Sequence, residues 1–108
     1  MSHDDIAFPL PRKTGYTIYT KTKCKYCDNV KLLLREESPA LVHCDPFLED
    51  EDTRCAFLEF MDKYTNETAH RTFPFVFFNS IFVGGYDKTE EYYARTQLMS
   101  VVFANDDF

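Results

Sequence analysis

Cys24 and Cys27 are the residues of this chain best placed to do chemistry. They enclose Lys25 and Tyr26 in a Cys-x-x-Cys pair. Positions i and i+3 on a helical turn have α-carbons about 5 Å apart, within disulfide range. Such a pair can open and close with little backbone motion. The residues before it, Tyr16-Thr17-Ile18-Tyr19-Thr20, are β-branched and aromatic and read as a strand. Residues 24–37 read as a helix, with Val30, Leu33 and Leu34 at helical spacing and Pro39 beyond its end. Cys24 then falls at a helix N-terminus, where unpaired N–H groups and the helix dipole favour a thiolate. Lys21, Lys23 and Lys25 add positive charge nearby. Cys24 is thus the expected nucleophile. Cys27, one turn in, is the expected shielded thiol that resolves the first adduct.

Zinc is the rival use of two close cysteines. A structural zinc site needs a second close pair of ligands. Cys44 and Cys55 stand well apart, His3, His43 and His70 are scattered, and the lysines beside the pair disfavour a cation. Redox chemistry is therefore expected, with no metal. Cys44 and Cys55 are expected to be small buried residues.

The whole chain sets bounds on this chemistry. Its 108 residues suffice for one domain. Eleven Phe and seven Tyr supply a core without any Trp. No apolar run approaches the roughly 20 residues of a membrane helix. The first 13 residues lack a basic segment followed by an apolar one, so no secretory signal is expected. A net charge of −6 argues against general nucleic-acid binding. The charge is unevenly placed. Between Arg12 and Arg35 seven bases face the single acid Asp28, so that segment is basic inside an otherwise acidic protein.

The remaining elements must position the cysteine pair. Residues 1–14, with Pro9 and Pro11, read as a flexible N-terminal arm, and residues 15–108 as the domain. Residues 40–44 read as a second strand. The run Glu49-Asp50-Glu51-Asp52 suits a helix N-terminus. It leads into a helix whose apolar face holds Phe57, Leu58, Phe60, Met61 and Tyr64. Residues 75–78 and 81–83 read as a hairpin across Asn79-Ser80. Gly84-Gly85 breaks the chain before a last helix over residues 89–103, with Tyr93, Leu98 and Val102 among its apolar positions. The order β-α-β-α-β-β-α predicts an α/β fold: a mixed four-stranded sheet flanked by three helices, its early strands parallel and its late hairpin antiparallel.

Three motifs in this order resemble the glutaredoxins, within the thioredoxin-fold superfamily. They are Tyr19-Thr20-Lys21-Thr22-Lys23-Cys24-Lys25-Tyr26-Cys27, Arg71-Thr72-Phe73-Pro74 and Gly84-Gly85-Tyr86-Asp87. The resemblance implies a thioredoxin-like fold of the dithiol type, with glutathione as co-substrate. It gives Lys21, assisted by Arg71, the glycyl carboxylate of glutathione. It gives the backbone of Phe73, before a cis-Pro74, the cysteinyl moiety, in the manner of an added strand. It gives Gly85, Tyr86 and Asp87 the γ-glutamyl end, with Asp87 free to cap the last helix instead. Thr72 belongs to the same wall, and Tyr26 lines the groove beside the active sulfur. Two residues depart from the family pattern. Lys25 stands where proline is usual, and Phe73 where valine is usual.

The expected function is a glutathione-dependent thiol–disulfide oxidoreductase serving electron transport and cell redox homeostasis. Its partners would be glutathione, disulfide-bearing or glutathionylated proteins and, indirectly, glutathione reductase. A cytoplasmic monomer is expected, with no nucleic acid and no membrane. The alternatives are a carrier or sensor of an iron–sulfur cluster ligated with glutathione, and a thioredoxin-like protein that does not use glutathione.

Overall fold

The computed structural model describes residues 8–66 and 70–106, with side chains as far as residue 99. Strand β1 (Tyr16–Thr20) leads into helix α1 (Lys25–Leu33), strand β2 (Ala40–His43), helix α2 (Glu51–Thr65), the hairpin β3 (Phe75–Phe78) and β4 (Ile81–Gly84), and helix α3 (Tyr86–Asp106). The sheet runs β2-β1-β3-β4. β1 pairs parallel with β2 and antiparallel with β3, and β3 pairs antiparallel with β4. This is the expected mixed sheet with three helices.

β1 is buried at every position, as a central strand with both faces covered must be. One face carries Tyr19, Phe75, Phe77, Phe57, Met61 and Cys44. The other carries Tyr16, Ile18, Val76, Val30 and Leu34. Phe57 of α2 is the hub of the first cluster. Its ring lies 5.4 Å from Phe8, 5.6 Å from Phe47, 5.9 Å from Phe73 and 6.1 Å from Phe75. A fully buried side chain of this size contributes about 1.5–3 kcal/mol, and here the same packing also fixes Phe73.

Several boundaries differ from the expected ones. α1 stops at Leu33, and the chain tightens into a 3-10 turn at Arg35–Glu37 before Ser38 takes a left-handed φ of 51° ahead of Pro39. A second 3-10 turn, Asp45–Leu48, follows β2. α2 opens where the acidic run is, with the Asp50 carboxylate accepting from the Thr53 N–H at 3.2 Å. Within α2, Tyr64 is exposed rather than core, and so is Cys55, expected to be buried. Leu98 of α3 is likewise exposed. α3 begins at Tyr86, three residues early, because Gly84 absorbs the turn with a φ of 141°. The Asn79-Ser80 turn has left-handed φ at both residues, and Asn79 ties it to β1 by accepting from the Gly15 N–H at 2.7 Å.

Residues 8–14 form no helix or strand but are held to the body. Phe8 packs on Phe47, Phe57 and Phe60, and Pro9 accepts from the Tyr19 hydroxyl. The Arg12 N–H donates to Thr17 Oγ1 at 3.0 Å. The first seven residues of the expected arm lie outside the described residues, as does the side chain of Val102.

Candidate active site

β1 delivers the chain to the cysteine pair through a short turn that Asp45 pins down. The Asp45 carboxylate accepts from the Thr22 N–H at 3.0 Å and from the Thr22 hydroxyl at 2.9 Å. Both bonds hold the Asp45 carboxyl below its usual range. Lys23 then takes a left-handed φ of 53°, which turns the chain into α1. Cys24 is the N-cap of that helix. Its Sγ accepts from the Cys27 N–H at 3.2 Å, the place of an N-cap oxygen. Cys24 is half-buried, whereas Cys27 is fully buried inside the first turn. The two are joined as a disulfide with α-carbons 5.2 Å apart. The outer sulfur thus has the Cys27 N–H beneath it, and the inner sulfur lies behind it, an arrangement that suits an attacking thiol backed by a resolving one.

Beside Cys24 lies the segment before β3. Cys24 Sγ is 3.9 Å from the Phe73 carbonyl oxygen, and the Phe73–Pro74 peptide is cis. Phe73 is anchored from below. Its ring stacks on Phe57 at 5.9 Å, nearly parallel, and meets Phe75 edge-on at 5.1 Å. The aromatic core thereby accommodates the departure from valine at this position.

A cleft of about 380 Å³ runs along this segment, within the roughly 300–1,000 Å³ usual for small-ligand sites. Its walls include Tyr26, Thr72, Phe73, Pro74, Gly85, Tyr86 and Asp87. Seven of the residues singled out from the sequence are therefore brought together. The Tyr26 ring, 56% exposed, stacks on Tyr86 at 6.0 Å across the cleft. The Tyr86 hydroxyl donates to Glu90 at 3.1 Å, which pushes its ionisation up. Asp87 lies inside the first turn of α3, where it meets the helix dipole but cannot be the N-cap.

Two expected residues stand elsewhere. Lys21 is half-buried at the end of β1 and is not a wall of this cleft. The Arg71 guanidinium donates to the Asp62 carboxylate of α2 at 2.9 Å. The cleft has two further walls that the sequence reading did not single out, His70 and Lys88. Each directly adjoins a motif, and that adjacency was the available signal. Cys44 is buried, and burial pushes its thiol up to about 12, so it remains protonated and inert. No group of three or more His, Cys, Asp or Glu among the described residues could hold a metal ion.

Fold and site together define a thioredoxin-like α/β domain with a dithiol–disulfide centre at a helix N-terminus. The glutaredoxin family model matches residues 16–83, and the chain belongs to that family. Family, fold and the Cys24–Cys27 centre support thiol–disulfide oxidoreductase chemistry. Solved structures similar to it include a buckwheat glutaredoxin–glutathione complex, at 24% identity and a TM-score of 0.59, covering 80% of this chain and 74% of that one. The holo form of glutaredoxin C1 from Populus tremula x tremuloides aligns at 24% identity and a TM-score of 0.60, over 92% of this chain and 85% of that one. Glutaredoxin 1 from Francisella tularensis, complexed with cacodylate, aligns at 21% identity and a TM-score of 0.60, over 76% and 94%. At these identities the likeness is one of fold. No curated protein sequence matches the chain.

Proposed function

We propose that the protein is a glutathione-dependent thiol–disulfide oxidoreductase acting on glutathione mixed disulfides and on protein disulfides. The observation that carries this reading is the placement of the half-exposed Cys24 sulfur. It sits at a helix N-cap, 3.9 Å from the Phe73 carbonyl that borders a peptide-sized cleft. The similar buckwheat structure, described as a glutathione complex, supports the choice of ligand.

In the reduced protein the Cys24 thiolate attacks the glutathionyl sulfur of a mixed disulfide. The Cys24–glutathione bond forms as the old disulfide breaks, and the target leaves as a thiolate that takes a proton from water. In this reading the Phe73 backbone holds the cysteinyl part, and the Gly85 to Asp87 segment the γ-glutamyl carboxylate. A second glutathione thiolate then attacks the bound glutathionyl sulfur, releasing glutathione disulfide and restoring Cys24. With a protein disulfide, the Cys24 thiolate attacks one target sulfur, the target's S–S bond breaks to release its other sulfur as a thiolate, and Cys27 then attacks Cys24 in the mixed disulfide. The reduced target leaves and the Cys24–Cys27 disulfide remains, to be reduced by two molecules of glutathione. Glutathione reductase would close the cycle. The lysines around Cys24 would draw in the anionic tripeptide, an effect that weakens with salt.

The test is turnover of a glutathionylated peptide with glutathione and glutathione reductase. Wild type should turn over with saturation, Cys24→Ser should be inactive, and Cys27→Ser should retain deglutathionylation while losing reduction of a protein disulfide. Equal loss in both variants on the glutathionylated peptide would contradict these roles.

A further inference from the structure

His70 touches both walls of the cleft, and the chemistry above gives it no task. Its Nε2 lies 3.4 Å from the Pro74 carbonyl oxygen. A carbonyl can only accept, so this contact is a hydrogen bond in the tautomer that carries its proton on Nε2. The ring meets Phe75 of β3 edge-on at 5.0 Å and Phe82 of β4 at 5.2 Å. On the remaining side it closes against the turn before α3. A Cβ placed on Gly85 would stand 3.1 Å from His70 Cε1 and 3.7 Å from the Pro74 oxygen. One imidazole therefore bonds the segment that carries Phe73 and Pro74, packs on the hairpin and abuts Gly85.

A tripeptide held by backbone groups on two walls depends on the spacing between those walls, and a shift of about 1 Å can cost a large factor in rate or affinity. We propose that His70 is a positioning residue for the glutathionyl moiety, locking the Phe73–Pro74 wall to the Gly85 turn and so fixing the width of the groove. This rests on the glutathione reading above. His70 acts through Pro74 and Gly85, so its effect falls on substrate binding rather than on the reactivity of Cys24.

Three variants separate the parts of the ring. His70→Phe keeps an aromatic ring and removes the donor. His70→Gln keeps an amide donor near the Nε2 position and removes the ring. His70→Ala removes both. Steady-state kinetics on the glutathionylated peptide should show KM raised about five-fold in His70→Phe and His70→Ala, with kcat within about two-fold of wild type, and KM largely rescued in His70→Gln. Gly85→Ala should raise KM by crowding the ring, and adding His70→Ala should bring the double variant below the product of the single effects. This cycle keeps the test open if His70→Phe fails to fold. Unchanged KM in His70→Phe, or multiplicative effects in the double variant, would overturn the role of His70. Should wild type itself fail to saturate with the glutathionylated peptide while still reducing a plain peptide disulfide, the glutathione reading is what fails.

Discussion

Gly84 is where a single methyl group should do most damage to the site. Its φ of 141° lies in a region that L side chains rarely adopt. An alanine there also has no room, since its Cβ would stand 2.6 Å from Lys88 Cβ and 2.9 Å from Lys88 Cγ. The backbone strain costs about 1–3 kcal/mol, and overpacking a further ~1–3 kcal/mol. Gly84→Ala should therefore lose roughly 2–6 kcal/mol of stability. For a domain of this size each kcal/mol shifts Tm by about 4–8 °C, so the drop should be roughly 10–50 °C. Because the start of α3 must move to make room, KM for the glutathionylated peptide should rise as well. The clash also predicts how it can be relieved. Lys88→Ala removes the Cγ contact but keeps the Cβ at 2.6 Å, so Gly84→Ala/Lys88→Ala should recover little. Lys88→Gly, which removes both atoms, should recover more. Urea unfolding and thermal melts of these variants, with turnover measured alongside, make the comparison. A Gly84→Ala protein within about 0.5 kcal/mol of wild type, or full rescue by Lys88→Ala, would refute the reasoning.

The other predictions concern sulfur and the loop that holds it. In the oxidised native protein, an alkylating agent should label the exposed Cys55 and spare Cys44, which should react only after unfolding; mass spectrometry of labelled peptides checks this, and native labelling of Cys44 would contradict its burial. Burial pushes the Cys44 thiol up to about 12 and the Tyr16 phenol up to about 12, from ordinary values of 9.0 and 10.0. Both folded values exceed the unfolded ones, so the stabilisation they give is complete below about pH 9 and is lost as pH rises toward 12. Urea unfolding at rising alkaline pH should show that decline, and a flat profile would count against it. Asp45→Ala removes both bonds to Thr22 and should slow alkylation of reduced Cys24 several-fold, an effect about the size of one lost hydrogen bond because the loop is only loosened. Asp45→Asn, which keeps an acceptor oxygen, should fall between that variant and wild type.

The sequence showed strands more clearly than helix ends. The aromatic and β-branched run at Tyr16 and the hairpin across Asn79-Ser80 stand where expected, because alternation and turn chemistry are local. Gly84-Gly85 reads as a break and puts the start of α3 three residues late, yet one glycine with positive φ lets the helix follow at once. The 3-10 turn Asp45–Leu48 escaped notice for a related reason, since its main signature is Pro46 and its purpose, offering Asp45 to Thr22, is a contact across the fold. Leu98 shows the limit of periodicity, as an apolar residue on a helix that faces solvent. In the site, the pairing of Cys24 with Cys27 follows from spacing alone. The gathering of Tyr26, Phe73 and Gly85 around one cleft could be read only through their motifs. The contacts of His70 with Pro74 and of Arg71 with Asp62 belong to tertiary packing, which no local pattern encodes.

The most direct measurement is where glutathione lands. Reduced Cys27→Ser protein is treated with glutathione disulfide under native conditions, and the adduct is located by peptide mapping. One glutathionyl group should form rapidly on Cys24 and be removed by added glutathione, with Cys55 modified far more slowly despite its exposure. Modification of Cys55 at the same rate, or none on Cys24, would contradict a sulfur activated at the helix N-terminus beside a groove for the tripeptide.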